Sequence, residues 1–191
     1  MQPLALQVIR DEHQALAAML RSLGLLLSKT RRENQAPDFW LIRAMLFYLD
    51  EFAERLHHQK ESELLFPAVR AQAPELGAVL DRLDDDHARG EQAIRELEHD
   101  LLAFEVVGEE RRAKFEKAFE AYSRSYLEHM AAEEQHVLPA AQRLLSAEQW
   151  STLDAAFESN RDPLTGHPPA DVYRPIFDRI LNNLPAPLGL G

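Results

Sequence analysis

Histidines occupy positions of this chain that apolar side chains would normally fill. The heptad pattern of the first helical segment has one polar member, His13, and a later segment likewise contains His87. A polar group inside a helix bundle costs about 1–3 kcal/mol unless it finds a partner. Several helices that direct imidazoles and carboxylates toward one core therefore predict a shared partner, and a metal ion is the simplest one.

The chain also contains a His-x3-Glu motif twice. His57 and Glu61 precede a Leu-Phe-Pro sequence, and His129 and Glu133 precede a Val-Leu-Pro sequence. Helical residues four apart lie on one face, so each motif directs an imidazole and a carboxylate toward one point. The repeat predicts two helical hairpins, each with one lone histidine and one motif. The six candidate metal ligands are His13, His57, Glu61, His87, His129 and Glu133.

Hydrophobic periodicity and helix breakers predict an all-α fold. Four long helices are expected at about 3–29, 37–73, 74–104 and 109–145. Their short connections predict an up-down-up-down antiparallel four-helix bundle with a short C-terminal helical extension. This packing would bring the four motifs to about the same level of the bundle.

We expect one domain with an attachment. Residues 1–159 would form the four-helix bundle and a short fifth helix, which the capping-box sequence from Ser146 to Gln149 introduces. Residues 160–191 would form a loop, a short helix and a tail packed on the bundle. Pro67 and Pro139 follow the two motifs and are expected to kink or loosen the ends of their helices.

Composition excludes several functional classes. The chain has no cysteine, which removes disulfides, iron–sulfur clusters and thiolate zinc sites. A net charge of −11 without a basic stripe argues against a nucleic-acid partner. No signal peptide and no apolar run of about 20 residues is found, so we expect a cytoplasmic protein without a membrane partner.

The ligand types favour iron. Four imidazoles and two carboxylates without sulfur disfavour copper(I) and structural zinc. Six protein ligands exceed what one zinc ion takes, but they suit two octahedral ions joined by two carboxylates. We therefore expect two non-haem iron ions (Fe2+/Fe3+) with an oxo or hydroxo bridge, and manganese is also compatible. An exogenous anion would help to neutralise the ferric pair.

This pattern resembles the hemerythrin-like, or HHE cation-binding, family over about residues 1–145. The resemblance implies a four-helix bundle with a non-haem di-iron centre that handles or senses dioxygen, nitric oxide, redox stress or iron. Dioxygen, nitric oxide or another small anionic or diatomic ligand is the expected partner, and binding is favoured over catalysis. The residues that carry the resemblance are His13, His57-His58-x-x-Glu61 with Leu65-Phe66-Pro67, His87, and His129-x3-Glu133-Glu134.

The chain departs from the oxygen-carrying hemerythrins. Those place a second histidine on the third helix, where Glu91 stands here, and end with an aspartate one position beyond Glu133. The missing nitrogen ligand argues against reversible oxygen carriage and favours the bacterial HHE type, with fewer imidazoles and two glutamate bridges. His58 lies about 100° from His57 and off the apolar seam. Glu61 lies between them in angle, so His58, and less readily Glu91, remain alternative ligands.

Two other functions compete with this interpretation. A ferritin-like di-iron oxidase or ferroxidase uses Glu-x-x-His on two helices, which Glu54-x-x-His57 and Glu133-x-x-His136 match. That scheme also needs a glutamate on each of the other two helices, which offer histidines here, so it ranks lower. A metal-free structural or regulatory bundle is the third hypothesis.

Other histidines and two tyrosines on these helices are expected to be structural. His136 occupies a seam position and is predicted to be a core histidine. Tyr122 and Tyr126 are predicted to pack in the core. His99 has acidic neighbours and is expected to be exposed, and His167 is expected in a loop.

Overall fold

The computed structural model describes residues 2–160 and 162–183, and these residues form helices, turns and loops without a strand. Among the described residues the main helices are α1 (Leu4–Arg32), α2 (39–72), α3 (Gly77–Val107), α4 (112–144), α5 (Ala147–Glu158) and α6 (Arg174–Asn183). Helices α1 to α4 pack antiparallel as the four-helix bundle that the sequence predicts. Helices α2 and α4 are continuous rods that each contain π-helical turns.

Local sequence signals set several helix ends. The Asp38 side chain accepts a hydrogen bond from the backbone N–H of Leu41 and so caps the start of α2. Ser146 and Gln149 form the predicted capping box at the start of α5. Gly108 has a φ of 102° after the last turn of α3, a conformation that glycine adopts without strain.

A polar level separates two apolar clusters in the bundle. On α1, His13 lies between Ile9, which belongs to one cluster, and Leu16, which belongs to the other. The helices α2, α3 and α4 repeat this arrangement. The apolar clusters hold the four helices together on both sides of the level, so the side chains within it are positioned from above and below.

Three π-helical segments reach this polar level from the apolar clusters. Two of them begin at the motif glutamates Glu61 and Glu133 and end two residues before Pro67 and Pro139. In each, the N–H group preceding the proline donates to the carbonyl of the motif glutamate, five residues back. Proline lacks an N–H group, and this loss disturbs the ordinary helical pattern. The segments are Leu49–His57, Glu61–Leu65 and Glu133–Val137.

The C-terminal helices pack on the bundle. Helix α5 lies along α1, and α6 lies along α2. Phe177 and Ile180 of α6 are buried in one apolar cluster, where the ring of Phe177 lies 5.9 Å from the ring of Tyr48. Residues 184–191, which include the predicted tail, lie outside the described residues. No described helix is long and apolar enough to cross a membrane.

Candidate metal centre

The six predicted residues meet at the polar level, together with His58. Their potential ligand atoms form two groups, and within each group these atoms lie within 4.8 Å of one another. All members are buried. Glu61 belongs to both groups, so its carboxylate lies between two candidate cation positions. The first group is His13, His57, Glu61 and Glu133, and the second group is His58, Glu61, His87 and His129.

Each glutamate faces both groups. Oε1 of Glu61 lies 3.2 Å from Nε2 of His57, and its Oε2 is directed toward the second group. Oε2 of Glu133 lies 3.2 Å from Nε2 of His13, and its Oε1 lies 3.1 Å from Nε2 of His129. Two carboxylates with one oxygen on each side have the arrangement of bridges between two cations.

The imidazoles meet in pairs through Nε2. These atoms of His13 and His57 are 3.2 Å apart, and those of His87 and His129 are 3.0 Å apart. Two neighbouring ligands on one ion, with bonds of about 2.1 Å at right angles, lie about 3.0 Å apart. The spacing of each pair is therefore that of two ligands on a shared ion.

The other ring nitrogen, Nδ1, faces an acceptor in four of the five histidines, at 2.7–3.0 Å. An acceptor at Nδ1 places the ring hydrogen there and leaves the Nε2 lone pair free for a metal. Nδ1 of His129 has no hydrogen-bond partner among the described residues, and the nearby Asp86 carboxylate is 3.8 Å away. The acceptors are Glu134 for His13, Glu12 for His57, Glu54 for His58, and Ser62, which donates to Asp84, for His87.

The four oxygens of Glu61 and Glu133 are buried without a hydrogen-bond partner among the described residues. In the form that binds metal, neutral and protonated at Nδ1, the imidazoles have no hydrogen at Nε2 to donate to these oxygens. Burying charge without compensation is costly. Oxygen atoms without proton donors and inward-facing nitrogen lone pairs are the donor set that a cation needs, so these residues fit a two-metal centre.

In the metal-free chain, protons on the imidazoles compensate the negative charge of the first group. Burial opposes a charged imidazole, but Glu61 and Glu12 raise the pKa of His57 well above its ordinary value. Burial also opposes the Glu133 carboxylate, but His129 and the nearby His13 hold its pKa well below the ordinary value. Cations would therefore compete with protons for this centre.

Two of the three imidazoles in the second group instead favour the neutral form, whereas burial opposes charge on the third, His129, but Glu133 raises its pKa. Burial, together with His87 and the other neighbouring imidazoles, lowers the pKa of His58 well below its ordinary value. Burial and His129 lower the pKa of His87 to about 3. A neutral imidazole is the form that binds metal. Near pH 7, His58 and His87 therefore do not have to lose a proton before they bind a metal ion.

His58 was only an alternative ligand in the sequence, and the structure brings it into the second group. The π-helical segment that ends at His57 explains its position, because the His58 N–H donates to the carbonyl of Ala53, five residues back. The wider turn lets both adjacent histidines face the core. The His58 ring stacks on the His87 ring with 3.9 Å between centroids. Angular proximity to Glu61 was the only sequence signal.

The expected core position of His136 is wrong, because this residue is exposed. The π-helical turn that starts at Glu133 shifts the register, and Val137 is buried next to it instead. Glu91, the weaker alternative ligand, is exposed and belongs to neither group. His99 is exposed, as the sequence predicts.

The two tyrosines are buried, as predicted, but they also make hydrogen bonds that the sequence did not reveal. The Tyr122 hydroxyl donates to Glu54 at 2.7 Å, and the Tyr126 hydroxyl lies 2.8 Å from Nε2 of His58. Burial raises the pKa of Glu54 to about 7. A Cβ added at Gly90 would lie 2.7 Å from this carboxylate, so the glycine makes room for it.

The turn after α5 closes the outer side of the first group. The Asn160 side chain is buried and donates to Oε2 of Glu12 at 3.0 Å, the same oxygen that lies 2.7 Å from Nδ1 of His57. Lys60 contacts the Oδ1 atom of Asn160. Phe157 packs against the His57 ring with 6.3 Å between centroids. A residue far along the sequence thus orients a candidate ligand through Glu12.

Comparison with protein families agrees with this geometry. The family model described as the hemerythrin HHE cation binding domain matches residues 4–141. Comparisons with curated proteins and with solved structures each gave no significant match. The family match spans all seven residues of the two groups and most of the chain. The chain therefore belongs to the hemerythrin HHE cation-binding domain family.

Proposed function

We propose that the chain binds two iron ions at this centre and uses them to handle or sense dioxygen, nitric oxide or redox stress. The observation that carries the proposal is the set of four buried carboxylate oxygens without hydrogen-bond partners, which face inward-directed imidazole nitrogens. A cation on each side would satisfy the oxygens and the paired nitrogens together. A metal-free structural bundle would have to compensate these oxygens with protons on buried imidazoles, which burial opposes.

In this proposal each ion has its own set of ligands. His13 and His57 would hold one ion, His87 and His129 would hold the other, and the carboxylates of Glu61 and Glu133 would be shared by both. The two glutamate bridges agree with the bacterial HHE type. Nitrogen and oxygen ligands without sulfur suit iron, and manganese has the same preference. Bound iron would supply reversible redox chemistry and open positions for a small ligand.

His58 is a further ligand in this proposal. It replaces the nitrogen that the third helix lacks at Glu91, and its neutral imidazole supports this role. Its Nε2 atom lies 2.8 Å from the Tyr126 hydroxyl, so this hydroxyl must turn away when His58 binds a metal. Five imidazoles weaken the sequence argument against reversible oxygen carriage, which rested on a missing nitrogen.

The ferritin-like alternative is less compatible with the geometry. That scheme pairs a glutamate with a histidine three residues later, but His136 is exposed and cannot join Glu133 at the centre. The side chain of Glu54 is instead hydrogen-bonded to His58 and Tyr122. Binding or sensing therefore remains the better proposal than iron oxidation.

Anaerobic reconstitution tests the proposal. The purified full-length chain is loaded with Fe(II), freed of excess metal and assayed for iron by mass spectrometry. We expect about two irons per chain, and oxygen or nitric oxide should then change the near-ultraviolet and visible absorption. A chain that retains no iron and shows no metal-dependent change in melting temperature would refute the proposal. Rapid turnover of added Fe(II) would instead favour the ferroxidase.

A further inference from the structure

The chain continues beyond the matched family region, and its last described part is fixed to the bundle at three places. We call Asn160 together with residues 162–183 the C-terminal attachment. Asn160 contacts Glu12 of α1. Asp162 contacts Tyr48 of α2, along which α6 also lies. The first of these contacts leads to the candidate metal centre, so the attachment and the centre can influence each other.

Helix α6 depends on the bundle for its helical form. It has ten residues, and isolated helices shorter than about 12–15 residues are marginal in water. Two of its side chains, Phe177 and Ile180, are buried, and its others are half-buried or exposed. An element with few buried apolar contacts opens locally more readily than the rest of a structure. Helix α6 therefore has a docked and a released state, and a modest coupling can shift the balance between them.

Asp162 fixes the chain between α5 and α6. Its buried carboxylate accepts hydrogen bonds from the Tyr48 hydroxyl at 2.6 Å and from the backbone N–H of Leu164 at 2.8 Å. Asn160 stands two positions earlier, and its own N–H group donates to a carbonyl in the last turn of α5. Release of the attachment therefore removes the support on one side of the Asn160 backbone.

One carboxylate oxygen connects Asn160 with the first group. Oε2 of Glu12 accepts a hydrogen bond from the Asn160 side chain at 3.0 Å and lies 2.7 Å from Nδ1 of His57. All three side chains are buried, so these contacts are shielded from water. A cation at Nε2 of His57 would polarise the ring and strengthen the hydrogen bond from Nδ1 to Glu12. Conversely, a partner of this kind orients a metal-binding histidine and changes metal affinity about 10–100-fold.

We propose that docking of the C-terminal attachment is coupled to the cation of the first group through Asn160, Glu12 and His57. A cation there favours the docked attachment, and its loss favours release. Release exposes Phe177, Ile180 and the surface of α2 beneath them, so the occupancy of a buried site changes the surface of the molecule. The coupling rests on the proposed two-metal function and transmits the state of that centre to a distant segment.

Amide hydrogen exchange of the full-length chain, measured by mass spectrometry with and without anaerobic Fe(II), tests one direction of the coupling. Iron content is measured first. We expect bound iron to slow exchange in α6 about 5-fold or more, the lower end of common coupling factors. Asn160→Ala, loaded to the same iron content, should exchange in α6 at its metal-free rate.

Three outcomes would contradict these expectations in different ways. Exchange in α6 that is as fast in the iron-loaded unmodified chain as without iron would overturn the coupling. Equal slowing in Asn160→Ala would overturn the route through Asn160. A chain that holds no iron would overturn the two-metal function, and the coupling with it.

Iron affinity tests the opposite direction, because coupling between two equilibria is reciprocal. Phe177→Ala removes a ring that packs on Tyr48 and Phe52, and Tyr48→Phe removes the hydroxyl that donates to Asp162. Tyr48 stands about 2.5 helical turns before His57, so both changes act away from the centre. In a metal-competition titration, Phe177→Ala should bind Fe(II) about 5-fold or more weakly. Tyr48→Phe keeps the ring and guards against misfolding, and it should show a smaller loss.

Two controls separate this coupling from general destabilisation. Val172→Ala changes a side chain of the attachment that is 75% exposed, and it should leave iron affinity unchanged. Ser62→Ala removes the hydroxyl that faces Nδ1 of His87 in the second group. It should weaken iron binding, but saturating iron should still slow exchange in α6. Unchanged iron affinity in Phe177→Ala with α6 released, or loss of the iron effect on α6 in Ser62→Ala, would overturn the coupling to the first group.

Discussion

Replacing Glu61 with glutamine tests whether the centre is built for cations. Burial and the neighbouring Glu133 raise the pKa of Glu61, so its charged form is disfavoured in the folded metal-free chain even though His57 is close. Glutamine removes the charge, and its amide group can donate to the unpartnered oxygens of Glu133. Relief of a buried unsatisfied group is worth about 1–3 kcal/mol. The metal-free variant should therefore be more stable than the unmodified chain.

The same change should weaken metal binding. An amide cannot bridge two cations as a carboxylate does. A cation at 100 times its Kd stabilises the folded state by about 2.7 kcal/mol. For a chain of this length, 1 kcal/mol shifts the melting temperature by about 2–4 °C. The unmodified chain should thus gain about 5–11 °C on addition of Fe(II), and Glu61→Gln should lose most of that gain.

Thermal unfolding measured by circular dichroism, with and without anaerobic Fe(II), gives both quantities. We expect Glu61→Gln to raise the melting temperature of the metal-free chain by about 2–12 °C and to reduce the rise caused by iron. Glu63→Gln is the matched control, since Glu63 is exposed on the same helix two residues away. The proposed role of Glu61 between two cations would be refuted if the variant had a lower melting temperature without metal and the same rise in melting temperature on addition of Fe(II).

Three further predictions concern the surroundings of the centre. Asn160→Ala should lower iron affinity about 10–100-fold, because Glu12 then holds His57 less firmly; unchanged affinity in a metal-competition titration would contradict this. Since burial raises the pKa of Glu54 to about 7, the unfolding free energy of the metal-free chain should fall as pH rises from about 4.5 to about 7. Glu54→Gln should remove most of this pH dependence when the unfolding free energy is measured with urea. The same pH dependence in the variant and in the unmodified chain would contradict the role given to Glu54. Pro67→Ala should let the preceding turns close into ordinary α-helix and lower the iron bound per chain, whereas full iron loading would show that the π-helical turn is dispensable.

Helical periodicity predicted the bundle and the meeting of the six residues because it needs only the spacing of apolar and polar positions. His13 and His87 stand at apolar positions of otherwise regular heptad patterns, so their burial could be predicted from the sequence. The same reasoning failed where the helix is not regular. A period of 3.6 residues places His58 off the seam and His136 on it, and π-helical turns reverse both outcomes. The proline after each motif hinted at two of these turns, and no sequence signal indicated the Leu49–His57 segment that turns His58 inward.

The hydrogen-bond partners of the candidate ligands could not be predicted from the sequence either. Asn160 and Glu12 are separated by 148 positions, and no local pattern connects them. Glu54 was considered for another role, yet its carboxylate contacts His58 and Tyr122. Such contacts depend on how segments distant in sequence pack together, and the pattern of residues along one helix does not show this.

The division of the two groups between the hairpins has a consequence for how cations load. The first group takes three members from the hairpin of α1 and α2, and Glu133 comes from the other hairpin. The second group takes His87 and His129 from the hairpin of α3 and α4, and its other members come from the first hairpin. The first ion to arrive would fix the side chains of Glu61 and Glu133, which face both groups, and the second would find them already fixed. Filling should therefore be cooperative, and molecules holding a single ion should be scarce.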